Sequence, residues 1–116
     1  MDEPKYAVVI STVPSMDVAR EIAHDLVENM LAACVNIAPK LTSVYEWDGK
    51  IVMEKEVLLI IKTKIQFLDK LIERVEEIHP YDIPEVIALP ILKGNKAYLG
   101  WIDSAIDPMR EPEEES

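Results

Sequence analysis

The chain has 116 residues, of which 49% are hydrophobic, and a formal net charge of -10. This length allows one hydrophobic core, and this composition is typical of a folded protein rather than a disordered one. The acidic balance argues against binding to nucleic acid or to an anionic membrane, because both require clustered Lys and Arg side chains. We therefore expect neither partner.

The N-terminal residues and the cysteine content predict a cytoplasmic protein. MDEPKY lacks the basic start and apolar core of a signal peptide, and no apolar run approaches the ~20 residues of a membrane span. The single cysteine, Cys34, excludes an internal disulfide and a Cys-rich metal site within one chain. We expect residues 1–106 to form one domain, followed by an acidic flexible tail over residues 107–116.

The first third of the chain predicts a strand, a helix and a second strand. Residues 6–13, YAVVISTV, are β-branched and apolar, which favours a strand. Ser15 can cap a helix from residue 16 to about residue 29, whose apolar side chains recur at helical spacing. Residues 33–38, ACVNIA, are predicted to form the second strand. Pro39 then predicts a bulge or an edge, because proline cannot donate to the ladder.

A long β-hairpin is predicted for residues 45–63. Asp48-Gly49 lies between β-prone stretches and favours a two-residue type I′ turn, because both turn positions need positive φ. From Val57 to Ile61 the returning strand is apolar on both faces, which is typical of a strand in the middle of a sheet.

Strand alternation gathers aromatic and charged side chains on one face of this hairpin. Counted from the Asp48-Gly49 turn, that face carries Tyr45, Trp47, Glu54, Glu56 and Lys62. Glu56 and Lys62 are too far apart to pair within one strand, since six residues span about 20 Å. Burial of an unpaired Lys62 would be costly, so we expect it to have a carboxylate partner. The candidates are Glu85 and the Glu54 or Glu56 of a neighbouring subunit.

The second half of the chain predicts a helix, a loop, a strand and a short helix. Thr63 followed by Gln66 matches a capping box, which predicts that Thr63 starts a helix ending near residue 78. The remaining predicted elements are a loop over residues 79–85, a strand over 86–89 or slightly beyond, and a helix over 97–106.

The order β-α-β-β-α-β with a terminal helix predicts an α+β, ferredoxin-like fold. Both long helices then cover the same face of a four-stranded antiparallel sheet. The strands AVVI, VLLII and VIAL are apolar on both faces, so a monomer would expose a patch larger than the ~300–600 Å² usual for monomers. We therefore expect an obligate oligomer in which the hairpins pair with neighbouring subunits.

Four side chains are candidate metal ligands. Cys34 supplies the softest donor in the chain, and His79 lies on a predicted loop where Asp82 and Glu85 could add oxygen donors. The alternative is that Cys34 is a small buried apolar residue and that His79 caps a helix, with Tyr81 packing the loop. No CxxC or HxxxH spacing is present, so the fold or the oligomer must assemble any metal site.

Five segments together resemble the divalent-cation tolerance (CutA) family. They are LAACVNI at 31–37, YEWDGKI at 45–51, EVLLIIKT at 56–63, HPYDIPE at 79–85 and YLGWI at 98–102. The resemblance covers roughly residues 6–106 in unbroken order. It implies a ferredoxin-like homotrimer similar in architecture to the PII-type signalling proteins, with hairpins that clasp neighbouring subunits. It also implies a link to tolerance of copper and other divalent metals.

Three functional hypotheses follow. The first is a cytoplasmic trimer that binds copper or another divalent metal and buffers or senses it. The second is a PII-like trimer that binds a small ligand or a protein partner, and the third treats the same motifs as trimer contacts only. Besides the hairpin face, the candidate pocket or interface residues are Tyr81 and Trp101. We expect neither catalysis nor an organic cofactor, because the chain has no GxSxG motif and no glycine-rich phosphate loop.

Overall fold

The computed structural model describes residues 3–110. Within them the strands are β1 (Tyr6–Val13), β2 (Cys34–Trp47), β3 (Lys50–Lys64) and β4 (Val86–Ile91). The helices are α1 (Met16–Glu28), α2 (Leu68–Ile78) and α3 (Lys96–Ala105), and a 3-10 turn covers Ile65–Phe67. None of these helices has the length and apolar content needed to cross a bilayer.

The four strands form one sheet in the order β2-β3-β1-β4, and every neighbouring pair is antiparallel. The predicted mixed class and four-stranded antiparallel sheet are confirmed. Strands β1 and β3 are central, as their apolar runs predict. Strands β2 and β4 are the edges of the sheet.

Helices α1 and α2 cover one face of the sheet and enclose the main core. Alternate residues of β1 and β3 point into this core, so Val9 and Leu59 are fully buried there. The helices contribute Ile22, Leu26, Leu71 and Val75. The predicted cap of α1 is confirmed, because the backbone N–H of Val18 donates to Ser15 Oγ at 3.2 Å.

The opposite face of the sheet, which we call the open face, is only partly covered. Its apolar side chains are Val8, Ile10, Leu58, Ile60, Ile87 and Leu89. Those on β1 and β3 are half-buried, whereas Ile87 and Leu89 on the edge strand β4 are 52% and 50% exposed. This face agrees with the expectation that two long helices leave one side of the sheet without cover.

Helix α3 covers one end of the open face. Ile102 and Ile106 are buried against Tyr6 and Ala33. Asp103 accepts a hydrogen bond of 2.6 Å from the Tyr6 hydroxyl and lies 3.1 Å from Lys64 Nζ. One carboxylate therefore ties α3 to two strands.

The hairpin has the predicted turn and register. Trp47 pairs with Lys50, and the turn residues Asp48 and Gly49 have φ of 53° and 79°. The predicted bulge at Pro39 is also confirmed, since the register shifts between Ala38 and Leu41.

Residues 41–56 extend beyond the end of β1 and form a two-stranded ribbon. β1 ends where Val13 pairs with Val57, so the ribbon has no third strand beside it. On the face turned away from the open face, Val44, Ile51 and Met53 are 60–73% exposed. An isolated two-stranded ribbon is marginally stable in water, so packing against another chain would stabilise this segment most.

We predict that Gly49→Ala loosens the ribbon. An alanine in the left-handed region costs about 1 kcal/mol, which corresponds to about fivefold lower protection of the ribbon amides in hydrogen exchange. Gly100→Ala is the control, because Gly100 lies inside α3 and a Cβ there has nothing within 4 Å. Unchanged ribbon protection in Gly49→Ala would contradict this account of the turn.

The predicted role of Thr63 as a helix cap is wrong. Strand β3 continues to Lys64, and Thr63 is fully buried within it, where its hydroxyl donates to the carbonyl of Leu31 at 2.7 Å. The 3-10 turn then leads into α2, whose first residue is Leu68. A buried tertiary hydrogen bond has overridden the local capping pattern.

Residues 107–110, at the start of the predicted acidic tail, form a turn. Asp107 accepts a hydrogen bond from the backbone N–H of Met109, and the Arg110 guanidinium donates to the carbonyl of Ala105 at 3.0 Å. The prediction for the rest of the tail, residues 111–116, lies outside the described residues.

An ion pair joins α1 to α2 and makes stability depend on pH. Arg74 donates two hydrogen bonds to Asp25, at 2.9 and 2.6 Å, and these bonds lower the pKa of Asp25. A carboxylate with a lowered folded pKa contributes stability above its unfolded pKa of about 3.9 and loses it as pH falls through the folded pKa.

We predict that Asp25→Asn lowers the free energy of unfolding by about 1 kcal/mol at pH 7, because the pair is only partly buried. The difference from wild type should shrink in urea denaturation as the pH falls below 4. Glu77→Gln removes the more exposed partner of Arg74 and should change stability by less than about 0.5 kcal/mol. Equal losses at pH 7 in the two variants would contradict the assignment.

Candidate functional site

A cluster of two carboxylates and two phenols lies at the base of the ribbon, on the open face. We call Tyr45, Glu54, Glu56 and Tyr81 the ribbon-base cluster. Glu56 is only 8% exposed, and the Tyr81 hydroxyl donates to its Oε2 at 3.0 Å. Tyr81 comes from the loop after α2, so this contact fixes the loop against β3.

Both phenols of the cluster are held in the protonated form. Burial, the hydrogen bond to Glu56 and the charges of Glu56 and Glu54 raise the pKa of Tyr81 to about 12. The hydrogen bond to Glu54 raises the pKa of Tyr45, with smaller contributions from burial and from charge. At neutral pH the cluster therefore presents two hydroxyl donors beside two carboxyl groups.

His79 orients Tyr81 from within the fold. Its Nδ1 accepts a hydrogen bond of 3.1 Å from the backbone N–H of Tyr81, so Nε2 carries the proton and donates to the carbonyl of Thr12 at 2.8 Å. The two rings also lie 4.8 Å apart between centroids. Both ring nitrogens are therefore occupied, and in this geometry His79 has no lone pair free for a metal.

A second group of polar side chains lies at the other end of the open face, beside α3. Cys34 pairs with Lys62 across β2 and β3, and Lys62 pairs with Val8 on its other side. Tyr98 of α3 lies next to Cys34, and burial, followed by the effect of Cys34, raises its pKa. Tyr98 was not among the predicted site residues, although YLGWI places it one helical turn before Trp101.

A profile of the CutA1 divalent ion tolerance protein family matches residues 7–105. The chain belongs to this family. The resemblance predicted from five sequence segments is thereby confirmed.

Known CutA proteins match most of the chain. It is 56% identical over 95 residues to the divalent-cation tolerance protein CutA of Thermus thermophilus. That match covers 82% of this chain and 92% of the Thermus protein. It is 52% identical over 91 residues to protein CutA of Mus musculus, covering 78% of this chain and 51% of the mouse protein. The chain thus spans about half the length of the mouse relative.

The fold matches as well as the sequence. The crystal structure of CutA1 from Oryza sativa superposes with a TM-score of 0.86 at 47% identity, and the match covers 88% of this chain and 94% of that one. The chain therefore shares both sequence and fold with members of this family.

In this CutA1-family chain the four predicted metal ligands do not meet. His79 contacts Thr12, whereas Cys34 lies in register with Val8, four residues or about 13 Å away along β1. Asp82 and Glu85 are exposed on their loop, and residues 3–110 contain no group of three His, Cys, Asp or Glu side chains that could hold a metal. These four side chains therefore do not form one site within residues 3–110, and a metal site assembled between subunits stays a prediction.

The predicted pocket residues also separate into distinct places. Trp47 lies near the ribbon tip and is 66% exposed, and Trp101 lines a groove between α3 and the end of α1. Lys62 has no carboxylate within 4.0 Å among residues 3–110, so the suggested pairing with Glu85 does not form inside the chain. Among residues 3–110, the predicted pocket residues that lie together are the four of the ribbon-base cluster.

Proposed function

We propose that the chain is a cytoplasmic, ferredoxin-like homotrimer that binds a divalent metal, copper foremost, with ligands from more than one subunit. In this role it buffers or senses the metal and does not catalyse a reaction. The observation that carries the proposal is the open face. Its apolar side chains on β1 and β3 are half-buried, and those on the edge strand β4 are about half-exposed. An apolar surface of this kind is best explained by assembly. The divalent ion tolerance family to which the chain belongs supports the metal role.

Assembly would also add metal donors to those that residues 3–110 of one chain bring together. A tight site usually needs three or four donors, and residues 3–110 provide no such group within one chain. A threefold axis brings together three copies of any residue that lies next to it, so whichever of Cys34, His79, Asp82 and Glu85 lies there would contribute three times. His79 must first give up one of its two ring hydrogen bonds.

Calorimetric titration with copper tests the metal role. Wild type should bind at a whole-number ratio per trimer, and Cys34→Ser or His79→Ala should weaken binding by at least tenfold. Glu28→Gln is the control, because this carboxylate is exposed on α1 and lies 3.3 Å from His24 on the same helix. Wild-type affinity in both ligand variants would remove these residues from the site.

A second candidate is PII-like binding of a small anion between subunits. The lack of a carboxylate partner for Lys62 among residues 3–110 favours it. Lys62 is a half-buried residue opposite Cys34, and no carboxylate in the described part of the chain lies within 4.0 Å of its ammonium. A thermal-shift screen of anionic metabolites should then stabilise wild type but not Lys62→Ala. Stabilisation of both proteins to the same extent would argue against this candidate.

A further inference from the structure

Glu56 is a buried residue, with 8% of its surface exposed. Its neighbours on the open face are Leu41, directly across the ladder, and Leu58, next along β3. No Lys, Arg or His nitrogen of residues 3–110 lies within 4.0 Å of it. Its hydrogen-bond donor in this part of the chain is the neutral Tyr81 hydroxyl. Burial of an unpaired carboxylate is costly, so the structure calls for a positive partner.

Lys62 presents the complementary case on the same face. It is half-buried between Cys34 and Val8, and neither neighbour can neutralise its charge as a carboxylate would. Six residues of one β-strand separate it from Glu56, a distance of about 20 Å. Because both side chains belong to one regular strand, they cannot meet within a chain.

We infer that Lys62 of one copy is the counter-ion of Glu56 on the next copy. This inference rests on the proposed homo-oligomer and specifies which charges its open faces bring together. Glu54 and Glu85 are weaker candidates, because both are exposed and water already solvates them. Tyr81 bonds Oε2 of Glu56, which leaves Oε1 as the acceptor for the incoming ammonium.

The pairing suits a closed ring of identical chains. Each chain offers one Glu56 and one Lys62 at different points of the same face, so a head-to-tail contact uses one of each. In a ring of three chains every Glu56 then meets a Lys62. The same pair locks Tyr81, and with it the loop after α2, at the boundary between subunits.

A double-mutant cycle tests the coupling. Glu56→Gln and Lys62→Met should each raise the dissociation constant of the assembly about tenfold or more in sedimentation equilibrium. The double variant should be no weaker than the worse single variant. Glu54→Gln combined with Lys62→Met is the matched control, since Glu54 lies on the same face two residues away, and here the effects should add. Additive effects at Glu56, or coupling at Glu54 instead, would overturn the inference.

Zero-length carbodiimide cross-linking of the wild-type protein tests proximity without substitutions. The reagent joins an amine to a carboxylate only when they touch, so a Lys62–Glu56 amide can form only between chains. Such a cross-linked peptide in mass spectrometry is the expected result. Linkage of Lys62 to other carboxylates alone would overturn the pairing while leaving the oligomer intact, whereas a monomeric wild type would overturn the proposed assembly itself.

Discussion

Ile60→Lys is expected to leave the chain folded and to break its assembly. Ile60 lies in the middle of the open face, between Ile10 on β1 and Asn36 on β2, and is half-buried in the single chain. A lysine there can keep its ammonium in water in the monomer. In the oligomer the same charge would be buried unpaired, at a cost of about 3 kcal/mol or roughly a hundredfold in the dissociation constant.

Sedimentation velocity and circular dichroism together measure this outcome. Ile60→Lys should sediment as a single chain with the helical and strand content of wild type. Gln66→Lys is the control, because it makes the same change of charge at an exposed position after β3 and should assemble normally. An Ile60→Lys protein that assembles like wild type would show that the open face is not the contact surface.

Leu59→Ala is expected to have the largest effect on folding itself. Leu59 is adjacent to Ile60 but points to the other side of β3, where it is fully buried under α1 and α2. Truncation of such a side chain leaves a cavity and costs about 2–5 kcal/mol. That loss is a large part of the ~5–15 kcal/mol that stabilises a typical domain.

Urea denaturation at a fixed protein concentration measures the loss. Leu92→Ala is the control, since the same substitution at an 87% exposed position should change the free energy of unfolding by less than about 0.5 kcal/mol. A loss below about 1 kcal/mol for Leu59→Ala would mean that the helix-covered face is not the main core.

The fold could be predicted because its signals are local. The Asp48-Gly49 dipeptide determines the hairpin turn and therefore the cross-strand register, and the apolar pattern of β1 and β3 marks the central strands. Thr63 shows the limit of such signals. Its capping pattern is real in sequence, but the hydrogen bond to Leu31 depends on a contact 32 residues away.

The site was less predictable because its chemistry depends on tertiary contacts. Placing His79 on a loop suggested a metal ligand, yet the fold directs both ring nitrogens to backbone groups. The sequence placed Glu54 and Glu56 on one face but could not tell which is buried. That difference comes from Tyr81, which reaches Glu56 from a loop 25 residues later in the chain.

Native mass spectrometry of protein purified without chelators or affinity metals tests the central claim most directly. We expect a complex of three 13.2 kDa chains that takes up copper at a whole-number ratio when the metal is added. We also expect the copper to be lost when Ile60→Lys separates the chains. A single-chain mass would contradict the assembly, and a three-chain complex that takes up no copper would contradict the metal role.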